Sequence, residues 1–319
     1  MFSWDALPKP IYALAPMHEV TDTAFRQLLA RIAKPSVMFS EFVSVDGLCH
    51  ADAHDRIIRY YLRFNAIERP LIAQIWGSDP EKFYTAAQMM VALGFDGIDI
   101  NMGCPDRKVV ASGGGIALCR DTVRAREIIA ATQAGAQNLP VSIKTRLGFD
   151  AIDDAWIMTL IDAQPAALTL HARTKKELSR VPAHWDVLSR FVLPAHQKGV
   201  ILLGNGDVQS MRDGVDKIKA TGVDGVMVGR GVLGNPWFFD ATRNIATVSL
   251  REKLETLILH SQLFDTYFNG IRTFSMIKKH VHGYVSGFDG AGQLRAAIMA
   301  TTSQAELTAC IEAYLHTLL

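Results

Sequence analysis

What the sequence lacks narrows the reading first. No window approaches the ~18 consecutive apolar residues of a membrane span, and no charged segment followed by a long apolar run opens the chain. A cytoplasmic protein without a membrane anchor is therefore expected. Charge of one sign is missing as well: 33 basic residues face 32 acidic ones, a formal net charge of +1. Bulk attraction for polyanions is excluded, and any nucleic-acid contact has to be a local patch. Cysteine is scarce, with Cys49, Cys104, Cys119 and Cys310 the only four, and no C-x-x-C pair among them. That removes a disulfide scaffold and a cysteine-based metal site, and fits a reducing compartment. No G-x-G-x-x-G follows the first candidate strand, which argues against a doubly wound dinucleotide fold.

What is present reads as an α/β enzyme. Short apolar, β-branched runs recur at Ile11–Ala15, Ser36–Glu41, Leu71–Trp76, Gly97–Asn101, Val141–Thr145, Ala167–His171, Val200–Gly204 and Gly225–Gly229. Amphipathic segments lie between them, such as Asp22–Ala33, Pro80–Leu93, Val123–Ala134, Asp153–Asp162 and Val208–Ala220. Asp22 and Asp79-Pro80 stand where helices should start, Gly94 and Gly222 where they should stop. Eight buried strands alternating with helices predict a (β/α)8 barrel. The strand rhythm ends near Asn244. Beyond it, helical spacing marks Leu250–Asn269, Thr273–Ser286, Gly290–Ala300 and Ser303–Leu318. The expectation is a TIM barrel over residues 1–244 followed by a small all-α helical bundle over 245–319.

In such barrels the active site lies at the C-terminal ends of the strands. Those ends collect polar and glycine residues here: Ala15-Pro16-Met17, Gln74 to Gly77, Asn101 to Pro105, Lys144-Thr145-Arg146, His171-Ala172-Arg173, Gly204 to Asp207 and Gly229-Arg230-Gly231. The last two turns have the form of the barrel phosphate site, where backbone N–H groups face an anion and Arg230 adds a charge-assisted bond. Lys144, inside the rim, needs an anionic partner. Either a barrel carboxylate or the N1/O2 edge of a reduced flavin meets that need. Cys104 is either a core cysteine or, set after a strand end in a glycine-rich loop beside Asn101, a general acid. With an ordinary pKa near ~8.5 a thiol is protonated at pH 7.

These residues together resemble the dihydrouridine synthases, FMN-dependent enzymes that reduce uridines in tRNA. The resemblance rests on A-P-M at 15–17, S-E-F at 40–42, Q-I-W-G-S-D-P at 74–80, D-I-N-M-G-C-P at 99–105, S-I-K-T-R-L-G at 142–148, H-A-R-T at 171–174, G-N-G-D at 204–207 and G-R-G at 229–231. It spans essentially the whole chain. The barrel and the A-S-G-G-G loop at 111–115 lean toward the subfamily acting at uridine 16, the tail at Ile277–Val281 toward the broader bacterial subfamily.

The resemblance implies FMN reduced by NADPH, hydride transfer to C6 of a D-loop uracil, and Cys104 protonating C5. It implies that Pro16, Met17, His18, Gln74, Lys144 and His171 border the flavin, and that Asn205, Gly206, Asp207, Gly229 and Arg230 hold its phosphate. Asn101 and Arg146 would face the base. Lys278 and Lys279, with Arg272 and His282 nearby, would meet tRNA, although the tail carries equal numbers of basic and acidic residues. A monomer without metal is expected. The alternative is a flavin-dependent dihydropyrimidine or dihydroorotate-type dehydrogenase acting on a free pyrimidine.

Overall fold

A computed structural model describes residues 2–243 and 245–317. The strands are β1 Ile11–Leu14, β2 Met38–Phe39, β3 Val43–Ser44, β4 Leu71–Trp76, β5 Gly97–Met102, β6 Val141–Arg146, β7 Ala167–His171, β8 Ile201–Asn205 and β9 Gly225–Val228. All pair in parallel, in the order β1-β9-β8-β7-β6-β5-β4-β2, with β3 beside the far end of β4. A parallel bridge between Ala13 and Val37 joins β1 to the segment before β2 and nearly closes the ring. The predicted second strand, Ser36–Glu41, is thus shorter than expected and resumes as β3. Between the two pieces Glu41 turns inward to meet charge, as described below.

The helices are α1 Thr23–Ile32, α2 Val45–Leu48, α3 Ala51–Tyr61, α4 Pro80–Ala92, α5 Arg107–Ala111, α6 Thr122–Gly135, α7 Asp154–Asp162, α8 Trp185–Gln197, α9 Met211–Thr221, α10 Leu250–Phe268, α11 Val281–Tyr284, α12 Ala291–Ala300 and α13 Gln304–His316. The capping signals work as read. Asp22 accepts the Phe25 N–H, Asp79 accepts those of Glu81 and Lys82 ahead of Pro80, and Gly222 closes α9 at φ +81. Two segments differ from expectation. The Val208–Ala220 segment starts its helix only at Met211, where Ser210 provides the cap. Thr273–Ser286 is a 3-10 turn, Phe274–His280, running into the short α11. Asn244, the expected boundary, and Leu318, the expected end of the last helix, lie outside the described residues.

Period-two alternation divides each stave into two faces. Ile11, Ala13, Phe39, Ile72, Ala167, Ile201, Leu203 and Met227 form an apolar cluster inside the ring, with Trp4 packed in it. Leu14, Ala73, Ile75, Ile98, Ile100, Ile143, Leu168, Leu170, Leu202, Val226 and Val228 face the helices, in a core that continues through α1 and α10 into the tail. Further along the strands the inward positions turn polar: Gln74, Asp99, Asn101, Ser142, Lys144 and His171. An apolar floor with a polar upper layer is what sets the site at one mouth.

Ring closure depends on Gly225. A Cβ there would lie 2.0 Å from the Ile11 carbonyl oxygen, which is backbone and cannot turn aside. Gly225→Ala is expected to cost about 1–3 kcal/mol, as overpacking does, read as a lowered urea midpoint at unchanged m-value.

Candidate active site

The strand register brings the polar residues into one layer: Gln74 beside Asp99, Asn101 beside Lys144, and His171 between Arg146 and Asn205. Asp99 accepts from the Ser142 hydroxyl at 2.6 Å and from the Gln74 amide at 2.7 Å. The Gln74 oxygen then accepts from Asn101 at 2.9 Å, and the Asn101 oxygen accepts the N–H groups of Gly103 and Cys104 at 3.1 and 2.9 Å. A carboxylate only accepts and a backbone N–H only donates, so both ends of this chain impose the same orientation on the two amides. The turn carrying Cys104 is therefore anchored to the barrel interior.

A cavity of about 640 Å³ opens over β6 to β9 and β1, within the range of small-molecule sites. Met17, Lys144, His171, Asn205, Gly206 and Gly229 are among its walls. The Lys144 ammonium has no hydrogen-bond or ion-pair partner among the described residues; burial first, then the Arg146 charge, lowers it to about 8. Asp99 is the carboxylate nearest in charge to it, and burial raises that group to about 6. Burial, followed by the charges of Lys144 and Arg146, holds the His171 imidazole well below its usual value, so it stays neutral. Arg146 is spent on backbone: its Nε donates to Gly103 O at 3.1 Å, its Nη1 to Thr174 O and Leu178 O.

At the far end Asp207 holds an ion pair with the buried Arg173 and accepts from Arg230 at 3.2 Å and from the Ala183 N–H at 3.1 Å. Its carboxylate orients two guanidinium groups and is not free to meet an anion. Asn205 donates to Met227 O at 2.8 Å and ties β8 to β9. Gly206, at φ +121, occupies a backbone conformation that side chains disfavour, and a Cβ would crowd Ala183 at 3.0 Å.

Cys104 faces a second cavity, about 570 Å³, walled by His18, Phe42, Tyr61, Trp76 and Lys108 among others. His18 stacks on Tyr61 at 5.2 Å and lies 5.4 Å from Phe42. Burial pushes the Cys104 thiol up, opposed by the Asp106 N–H and by Arg146 and Lys144. Of the three consecutive glycines, Gly115 lies against this turn and Gly114 against the loop after β4. A Cβ on Gly115 would sit 2.7 Å from Cys104 O, one on Gly114 2.8 Å from Gly77 O, and the Ile116 N–H donates to Cys104 O.

Most of the predicted residues converge on these two cavities: Pro16, Met17, Lys144, Arg146, His171, Asn205, Gly206, Asp207, Gly229 and Arg230 on the first, His18 and Cys104 on the second. Gln74 and Asn101 lie beneath, inside the ring. The tail residues are elsewhere. Arg272, expected near RNA, is buried, with its Nη2 2.7 Å from Glu41 Oε2 and 3.8 Å separating it from Asp22. It cannot touch a macromolecule. Lys278 donates to Met299 O and Lys279 to Glu19, each at 2.7 Å. Arg173, Asp99 and Glu41 fall within the sequence motifs without a role assigned to them, and Tyr61 lies outside those motifs. Asp99 stands inside the D-I-N-M-G-C-P motif two residues before Asn101, so the alternation that points Asn101 inward already pointed Asp99 inward. Among the described residues no cluster of three or more His, Cys, Asp or Glu could hold a metal ion, and no helix is long and apolar enough to cross a membrane.

With this geometry in place, comparison with known proteins is specific. The family model described as "Dihydrouridine synthase (Dus)" matches residues 13–318. A curated "Probable tRNA-dihydrouridine synthase" of Staphylococcus aureus (strain MRSA252) is 38% identical over 316 residues, covering 98% of this chain and 95% of that protein. "Probable tRNA-dihydrouridine synthase 2" of Bacillus subtilis (strain 168) is 38% identical over 315 residues, covering 97% and 95%. Among solved structures, morphinone reductase superposes with a TM-score of 0.51 at 14% identity, over 73% of this chain and 85% of that one. That likeness concerns the barrel fold alone.

Proposed function

Because the chain belongs to the dihydrouridine synthase family, we propose that it reduces the C5–C6 bond of a D-loop uridine in tRNA, with FMN as bound cofactor, NADPH as reductant and Cys104 as proton donor. The observation that carries this reading is the pairing of two cavities at one barrel mouth. One has an unpartnered, half-buried cation and a glycine-bearing far end; the other holds a protonated thiol among aromatic rings.

The residues fit FMN. Lys144 offers an ammonium without a protein partner to an electron-rich ring edge, and Gly206 and Gly229 keep side chains away from the phosphate end. The two arginines held by Asp207 supply positive charge beside it. When bound and reduced by NADPH, FMN supplies the hydride for C6. The chain's own residues do the rest. Neutral His171 accepts from Arg173 or offers a ring N–H, without adding a charge. The Asp99–Gln74–Asn101 chain fixes the amide groups under the reacting bases. Cys104 Sγ–H gives its proton to C5 as negative charge builds there, leaving a thiolate near Lys144 and Arg146. Uracil has to leave the RNA stack to reach it, and His18, Tyr61 and Phe42 offer rings against which an unstacked base packs. We assign RNA docking to the barrel mouth and the helical tail together.

Lys144→Met tests the cofactor assignment. A hydrogen bond to a charged group contributes about 1.5–3 kcal/mol, so FMN affinity measured by quenching of flavin fluorescence should weaken about 10- to 100-fold. Wild-type affinity should also decline above about pH 8, where the ammonium of the free protein deprotonates, while the variant's stays flat. The activity itself is tested with FMN-loaded protein, NADPH and unmodified tRNA, mapping dihydrouridine by position. A D-loop site supports the reading. Reduction of free uracil without any tRNA product would replace it.

A further inference from the structure

We propose that Lys279 is a positioning residue: from the helical tail it holds, through Glu19, the β1–α1 loop that carries Met17 and His18 to the two cavities. The inference rests on the reading of the barrel mouth as the reaction site.

Met17 walls the first cavity and His18 the second, so the loop between β1 and α1 is the partition between them. That loop is strained. Glu19 has φ +55, a left-handed conformation that a non-glycine residue keeps only where its surroundings hold it. Three groups do so, from behind the partition. The Glu19 N–H donates to Glu41 Oε1 at 2.6 Å, and the same carboxylate pairs with Arg272 from the tail. The Glu19 side chain accepts from Lys279 Nζ at 2.7 Å. The His280 ring, which accepts the Gly234 N–H after β9, lies against the backbone of the next residue, Val20. Arg272, Lys279 and His280 all belong to the turn region between α10 and α11. The tail therefore reaches the partition with two cations and an imidazole, and Lys279 is the one of the three that stays accessible.

An exposed pair of this kind contributes little to global stability, so its variants should fold. It acts on a strained loop, where a small bias decides how often His18 is in place. Lys279 was also the natural candidate for an RNA contact, and the two roles separate cleanly. Lys279→Met and Glu19→Gln each abolish the ion pair from opposite sides, the first with its hydrogen bond and the second leaving only an amide oxygen to accept it, and they remove opposite charges. The exchange of the pair, Lys279→Glu with Glu19→Lys, restores the bond with its polarity reversed.

For the FMN-loaded proteins, the single-turnover rate of dihydrouridine formation at saturating tRNA, tRNA affinity against salt, and amide hydrogen exchange over residues 16–21 are measured. Positioning predicts that Lys279→Met and Glu19→Gln each slow the chemical step about fivefold, that the double variant is no slower than either, and that the exchanged pair recovers. Exchange at 16–21 should rise in both single variants and fall again in the exchanged pair, with tRNA affinity and salt slope unchanged throughout. The proposal is overturned if Lys279→Met alone weakens tRNA binding and lowers the salt slope by the ~0.7–0.9 of one phosphate contact. It is equally overturned if loop exchange is the same in all variants. Absence of dihydrouridine from the wild-type protein would remove the functional reading and leave the exchange measurement to judge the clasp.

Discussion

Replacing Cys104 with alanine should slow dihydrouridine formation by about 10²- to 10⁴-fold, the usual contribution of a positioned general acid, while FMN binding and reduction by NADPH continue. The expectation follows from where the thiol is held. Its backbone N–H is fixed by Asn101, its carbonyl is braced by the Ile116 N–H, and Gly115 leaves no room for the loop to shift. Burial raises its pKa above the ordinary cysteine value, with the neighbouring cations opposing. A raised pKa means the proton is present below it and lost above it. The wild-type rate should therefore be flat through neutrality and decline only at alkaline pH, beyond where an exposed cysteine would ionise. Cys104→Ala should lack that limb, its residual rate depending on water as the acid. Cys104→Ser keeps the volume but offers a far weaker acid, and should resemble alanine. Normal product formation by the alanine variant would show that another group protonates C5.

How much of this was legible in the sequence follows from the range of the interactions involved. The staves were legible because burial on both faces writes continuous apolar runs, and the mouth because those runs change character at the same end of each strand. Capping residues such as Asp22 and Asp79 act within one turn, so their helices were placed within a residue or two. Helix α3 is absent from the elements read in the sequence: none of its residues is fully buried, and its Ile57 and Tyr61 pack on the edge of the core while also lining the Cys104 cavity. Its apolar stripe is shared between core edge and cavity and holds no fully buried position. The second strand, read as Ser36–Glu41, is shorter than expected: Ser40 and Glu41 follow an apolar run, yet Glu41 pairs with an arginine 231 positions away. That same distance misplaced Arg272. In sequence it joins a run of basic residues; in the fold its charge is consumed internally. Local pattern reports period and caps well, and reports nothing about which charges will find each other across the chain.

The Arg272 pair gives the largest expected change in stability. Its guanidinium is wholly buried, shares Glu41 and faces Asp22, donates to the Tyr60 carbonyl, and lies 4.8 and 4.5 Å from the ring centroids of Tyr61 and Phe268. Arg272→Met leaves two buried carboxyls without their cation, and breaking such a pair costs about 3–5 kcal/mol. The pH dependence separates this cause from lost packing. Burial already lifts Asp22 to about 6 and raises Glu41 even with the arginine in place. Between the unfolded carboxyl range near ~4 and those raised values, the native protein holds more protons than the unfolded chain, so stability falls as pH rises through that window. Without Arg272 both groups move further up and the window widens. The deficit measured by urea unfolding should thus be larger at pH 8 than at pH 5, where the carboxyls are protonated in the folded variant. Adding Glu41→Gln should recover much of it at pH 8, because a glutamine oxygen still accepts the Glu19 N–H without needing a counter-ion. A deficit equal at the two pH values and untouched by Glu41→Gln would assign the loss to the ring stacking instead. Glu41 holds the Glu19 backbone and Arg272 comes from the tail, so the doubly substituted protein also asks whether the partition of the barrel mouth needs this charge pair or only its shape.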